Sequence, residues 1–113
     1  MEIRAKKEKG ATIVMLEGRL DAVSSRELNE RLADLFEGGA RTVILNLAGV
    51  DYISSAGLRS ILTAAKKMKS RNGHIILTCV QDMVMGVLKM SGFADILPIH
   101  VSDQDALRCH AER

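Results

Sequence analysis

Two hydrophobic periods alternate along this chain. Runs in which almost every residue is apolar or β-branched give way to stretches in which apolar residues return every three or four positions, which are the signatures of buried strands and amphipathic helices. Ile3 to Lys7 reads as an edge strand, Lys9-Gly10 as a turn, and Ala11 to Leu16, with Ile13, Val14, Met15 and Leu16 all apolar, as a second strand. Two strands across a glycine turn predict an antiparallel hairpin. Gly18 to Val23 then reads as a connecting loop, and Ser24 with Glu27 three residues later as a capping box opening a helix over 25–37, with Leu28, Leu32, Leu35 and Phe36 on one face. Gly38-Gly39 ends it, and Thr42 to Leu47 is a β-branched run broken only by Asn46, as expected of a strand covered on both faces.

The same alternation continues to the C-terminus. Leu58, Ile61, Leu62, Ala65 and Met68 fall on one helical face, and Asn72-Gly73 stops that helix near Arg71. His74 to Val80 reads as a buried strand, and Gln81-Asp82 caps a third helix whose apolar set is Met83, Val84, Val87, Leu88 and Met90, closed by Gly92. Ile96 to Val101, interrupted by Pro98, is a short edge strand, and Ser102 with Asp105 opens a last helix that frays at its end. The order β, β, α, β, α, β, α, β, α predicts an α/β fold. It is a single mixed sheet of about four or five strands, the central ones parallel, packed with about four helices through right-handed crossovers. No linker, repeat or low-complexity segment divides the chain, so residues 1–113 form one domain.

Between the central strand and the second helix lies Val50-Asp51-Tyr52-Ile53-Ser54-Ser55-Ala56-Gly57-Leu58. It sets serine hydroxyls where a strand hands over to a helix, beside unpaired backbone N–H groups and the positive end of the helix dipole. Either serine can cap the helix or carry a phosphate. Gly57 in the first turn lowers helix propensity, which points to something approaching the backbone there, a phosphate or a partner surface.

Composition narrows the alternatives. Aromatic residues are only 3% of the chain and Trp is absent, which argues against base-stacking recognition of RNA or single-stranded DNA. Sixteen Lys and Arg against fourteen Asp and Glu leave a net charge of +2, too little for a phosphate-tracking surface, so no nucleic-acid partner is expected. The basic run Lys66-Lys67-Met68-Lys69-Ser70-Arg71 suits a helix C-terminus. Cys79 and Cys109 have neither CxxC nor metal-ligand spacing, so no disulfide, metal or cofactor is expected. No apolar leader or membrane-length segment is seen, and a cytoplasmic setting with no membrane partner is the expectation.

Catalysis finds little support. A serine nucleophile needs a base and an oxyanion hole, the GxSxG elbow is absent, and His74, His100 and His110 stand at a strand start, near a strand end and in the last helix. Asp51 after a central strand is similar to the phosphoacceptor of two-component receiver domains. Those domains need an acidic pair after their first strand, and Glu17-Gly18-Arg19-Leu20-Asp21 has none, so Asp51 is expected to end its strand and shape the turn. Met83, Met85, Met90 and Phe93 are read as core filler rather than a contact patch.

These residues resemble the STAS domain of bacterial anti-sigma factor antagonists and sulfate transporter C-termini. The resemblance spans nearly the whole chain and is strongest from Val43-Ile44-Leu45-Asn46-Leu47 through Val50 to Leu58, with Gly18-Arg19-Leu20-Asp21 and Met90-Ser91-Gly92-Phe93 as secondary signatures. It implies a non-enzymatic antagonist working by partner switching. Unphosphorylated, such a protein binds an anti-sigma factor of the serine-kinase, histidine-kinase-like ATPase type and frees the sigma factor. The kinase reverses this by phosphorylating the antagonist, and a PP2C-type phosphatase restores it. By the motif the phosphoacceptor falls on Ser55, with Ser54 the alternative, and the partner surface on Asp21, Ser24, Asp51, Ser54, Ser55, Ala56, Gly57 and Arg59. Where the family commonly has an acid before the serine and a hydroxyl after it, this chain has Ser54 and Ala56. Two other readings remain, an unphosphorylated STAS scaffold or ligand-binding module and a small serine-dependent enzyme.

Overall fold

The computed structural model describes the backbone of residues 1–111 and the side chains of residues 1–109. The expected fraying at the C-terminus and the side chain of His110 lie outside the described residues. Strand β1 (Glu2–Glu8) turns through Lys9-Gly10 into β2 (Ala11–Leu20), which leads to helix α1 (Ala22–Glu37). Strand β3 (Thr42–Ile53), helix α2 (Ser55–Ser70), strand β4 (His74–Thr78) and helix α3 (Asp82–Met90) follow. A 3-10 turn (Phe93–Asp95), the two-residue strand β5 (Ile99–His100) and helix α4 (Asp103–Ala111) complete the order. One five-stranded sheet results, ordered β1-β2-β3-β4-β5, antiparallel between β1 and β2 and parallel thereafter.

The two-residue period of the strands divides the apolar residues between two cores. Val14, Leu16, Val43, Leu45, Ile75 and Leu77 pack with Leu28 and Leu32 of α1, Ile61 and Met68 of α2, and Val84 and Leu88 of α3. Ile13, Ile44 and Ile76 alternate with these, so they project from the opposite face and meet Ala106 and Leu107 of α4. Three helices therefore cover one face and a single helix the other.

Several boundaries differ from the pattern reading. β2 does not stop at Leu16: Gly18, Arg19 and Leu20 pair with Val50, Tyr52 and Ile53, so the expected loop is largely strand. Register shifts fall between Met15 and Glu17 and between Gly18 and Arg19. Gly49 sits where they begin, and a Cβ there would lie 2.8 Å from the Leu16 carbonyl oxygen, so the bulged strands approach too closely for a side chain. β3 likewise runs on to Ile53, which places Asp51 within the strand rather than at its end. Helix α1 starts at Ala22 because Asp21, not Ser24, is its N-cap. β4 ends at Thr78 where Cys79 turns to φ 54°, and β5 keeps only two residues after the 3-10 turn. On α3, Val84 and Leu88 are buried but Met83 is 77% exposed and Met90 91%, so these methionines are surface residues rather than core filler.

Candidate functional site

The serine corner is assembled by two strand-to-helix junctions held together. Leu20 ends β2 and Ile53 ends β3 as neighbours in register, and the Ser54 N–H donates to the Leu20 carbonyl at 2.9 Å. That bond places the start of α2 against the residue preceding the N-cap of α1.

The two serines have different surroundings. Ser54 is the N-cap of α2, in extended conformation at φ −90° and ψ 171°, and its Oγ accepts from the Gly57 N–H at 3.1 Å. Its hydroxyl thus satisfies one of the N–H groups that the helix leaves unpaired. Ser55 is the first helical residue, is exposed, and its hydroxyl makes no hydrogen bond with the described residues. Arg59 lies one helical turn further on and is also exposed.

Gly57 has a structural explanation. A Cβ on it would lie 2.7 Å from the Leu20 carbonyl oxygen, 3.0 Å from Leu20 Cγ and 3.1 Å from Ile53 Cγ1. The group that approaches the backbone is therefore Leu20 of this chain, where the sequence pointed to a phosphate or a partner. Gly57 is buried and Ala56 half-buried, so both shape the corner from beneath.

Asp21 and Ser24 form a reciprocal cap. Asp21 Oδ1 accepts from the Val23 and Ser24 N–H groups at 3.1 Å each, and the Ser24 hydroxyl accepts from the Asp21 N–H at 2.9 Å and donates to the Arg19 carbonyl at 2.6 Å. The sequence placed this box three residues too late, with Ser24 as cap and Glu27 as its partner. Donation from the Ser24 backbone N–H lowers the Asp21 pKa below the ordinary carboxylate value. Ser24 itself is only 5% exposed, which confines its part in any partner surface to holding Asp21 in place. Asp51 is exposed on β3.

The sequence did not single out Arg19 and Tyr52. They face each other across β2 and β3, with the Arg19 guanidinium 4.0 Å from the centroid of the Tyr52 ring. The Tyr52 ring, 40% exposed near the end of β3, and Val23, 72% exposed at the start of α1, add apolar surface at the two junctions. The single tyrosine of a chain with only 3% aromatic residues was the available signal. Among the described residues no cluster of three or more His, Cys, Asp or Glu could hold a metal ion. No described helix is long and apolar enough to cross a membrane.

A mixed sheet of this order, with a hydroxyl exposed at the first turn of the helix after its central strand, defines a class. The STAS domain model matches residues 2–106, and the chain belongs to the STAS domain family. BtrV of Bordetella bronchiseptica, a protein named for anti-sigma factor antagonism, is 35% identical over 106 residues, covering 94% of this chain and 91% of the relative. The anti-sigma F factor antagonist of Paenibacillus polymyxa is 27% identical over 108 residues, covering 95% and 92%. The unphosphorylated form of the anti-sigma factor antagonist SpoIIAA shares the fold at TM-score 0.80 and 18% identity, with 97% of each chain covered.

Proposed function

We propose that this protein is an anti-sigma factor antagonist that acts by partner switching, with Ser55 as the residue that is phosphorylated. The observation that carries the assignment is the division of labour at the corner: the Ser54 oxygen is occupied by the Gly57 N–H, whereas the adjacent Ser55 hydroxyl is exposed and unbonded. The antagonist names of the relatives at 35% and 27% identity support the same role. In the unphosphorylated state the exposed Ser55, Arg59, Asp51, Tyr52 and Val23, with the capped Asp21, present a surface to the anti-sigma factor. That partner is of the serine-kinase, ATP-binding type, and a PP2C-type phosphatase removes the phosphate.

The physics of the switch follows from where Ser55 stands. A phosphate adds roughly −1.5 to −2 charges at a helix N-terminus, which favours negative charge, so the domain stays folded. A partner pressed onto the corner has to desolvate that charge beside Asp21 and Asp51, and the complex is lost. Catalysis is not part of this reading, because the Ser55 hydroxyl is hydrogen-bonded to no described base.

The test is incubation with the purified anti-sigma kinase and ATP, followed by mass spectrometry of wild type, Ser54→Ala and Ser55→Ala. Phosphate is expected on wild type and Ser54→Ala only. Unchanged incorporation in Ser55→Ala overturns the assignment of the residue, and failure of the unphosphorylated protein to bind any such kinase overturns the antagonist role.

A further inference from the structure

The opposite end of α2 borders a cleft that the antagonist reading does not use. Strand β5 pairs with β4 only at Leu77 and Thr78, so nothing in the sheet continues beyond β4 beside its first residues. The gap between the second half of α2 and the segment before β5 is a cleft of about 610 Å³. Its size lies within the range of small-molecule pockets, roughly 300–1,000 Å³.

The lining combines an apolar strip, a cationic rim and the polar side chains of Asn72 and His74. Leu62 and Ala65 of α2, Ile75 of β4 and Leu97 form an apolar floor, and Ile96, 61% exposed, stands at the mouth. Lys66 and Lys69 rim the cleft from α2, and no carboxylate lines it. Among the described residues neither lysine has an ion-pair partner, since the pairs are Arg4 with Glu2, Lys6 with Glu8 and Arg108 with Asp105. An apolar trough with two exposed ammonium groups, neither of them ion-paired, on one rim complements a molecule with the same division: a hydrocarbon chain ending in an anion.

We propose that this cleft binds a medium-chain anionic amphiphile, the acyl chain lying on Leu62, Ala65 and Leu97 and the carboxylate between Lys66 and Lys69. Burial of the chain supplies the attraction, and the lysines set the sign of the head group.

The experiment uses the whole chain, ¹⁵N-labelled, titrated with decanoate below its micelle concentration and followed by amide chemical shifts. Saturable shifts are expected in residues 62–75 and 96–98. Acetate, which lacks the chain, and decyltrimethylammonium, which reverses the charge, are expected to leave those amides unmoved. The double substitution Lys66→Ala with Lys69→Ala is expected to weaken binding about ten-fold. Ile96→Asp, which sets a like charge at an exposed position on the mouth, tests the same sign without touching the lysines and is also expected to weaken it. The proposal is overturned if decanoate gives no saturable shift in the cleft, if the cationic amphiphile binds there equally, or if both variants keep wild-type affinity.

Discussion

Replacing Gly57 by alanine sets two opposed effects against each other. In an exposed helix the change is stabilising by up to about 1 kcal/mol, because alanine has the higher helix propensity. Here the new Cβ would lie 2.7 Å from the Leu20 carbonyl oxygen, a backbone atom that itself accepts from the Ser54 N–H at 2.9 Å. Relief requires α2 to move away from β2, lengthening that hydrogen bond, and overpacking of this kind costs roughly 1–3 kcal/mol. A mid-range cost of about 2 kcal/mol less that gain leaves an expected loss of about 1 kcal/mol, or a fall of roughly 4–6 °C in Tm for a domain of this size. Urea unfolding followed by far-UV circular dichroism reads it as a lower midpoint at unchanged slope. A variant as stable as wild type, or more stable, refutes the argument that Leu20 rather than a ligand explains the glycine. The same displacement shifts Ser55, so binding of the anti-sigma factor is expected to weaken in parallel.

The adjacent serines give a crossed pair of outcomes. Ser54→Ala removes the cap of α2 and is expected to cost about 1 kcal/mol of stability in urea unfolding while leaving phosphorylation intact; Ser55→Ala is expected to change stability by less than about 0.5 kcal/mol and to abolish it. Ser55→Asp is expected to keep the wild-type fold by circular dichroism and to lose measurable affinity for the anti-sigma factor in calorimetry. Asp21 has its pKa lowered in the folded state, so its cap stabilises above the unfolded-state pKa and is lost as pH falls through the folded value. Asp21→Asn keeps the capping geometry without the titration and is expected to flatten the acid side of a stability-against-pH curve. Truncating Arg19 and Tyr52 singly and together in a double-mutant cycle is expected to reveal a coupling of about 0.5–1 kcal/mol, and zero coupling means the ring contact contributes nothing.

The strand and helix order, the parallel centre of the sheet and the position of the two serines were all legible from periodicity and turn residues. The ends of β2 and β3 were not. The stretch from Gly18 to Val23 reads as a loop and the β-branched run stops at Leu47 when each segment is taken alone, yet the strands continue through bulges because each supplies the other's hydrogen-bond partner. The α1 cap was misplaced for a related reason. Asp21 and Ser24 are both good caps, three residues apart, and extension of β2 to Leu20 brings the helix start forward to Asp21. On α3 the apolar residues occupy both sides of a short helix, so spacing could not tell buried Val84 and Leu88 from exposed Met83 and Met90. Gly57 was read as a sign of an approaching ligand, and only the tertiary contact with Leu20 supplies the reason for it.

The single helix on the second face has a consequence for how the domain opens. Among the described residues α4 buries only Ala106 and Leu107, against Ile13, Ile44, Ile76 and Ala11, and its first turn is tied down by Asp103, whose carboxylate accepts from Asn46 and Thr78. Little apolar area and one carboxylate clasp make a unit that detaches at a lower free energy than the three-helix core. Amide exchange should therefore proceed through two separable openings, with α4 released first while the strands, α1 and α2 remain protected. The serine corner belongs to the slower unit, so its geometry persists through the domain's commonest excursion from the native state.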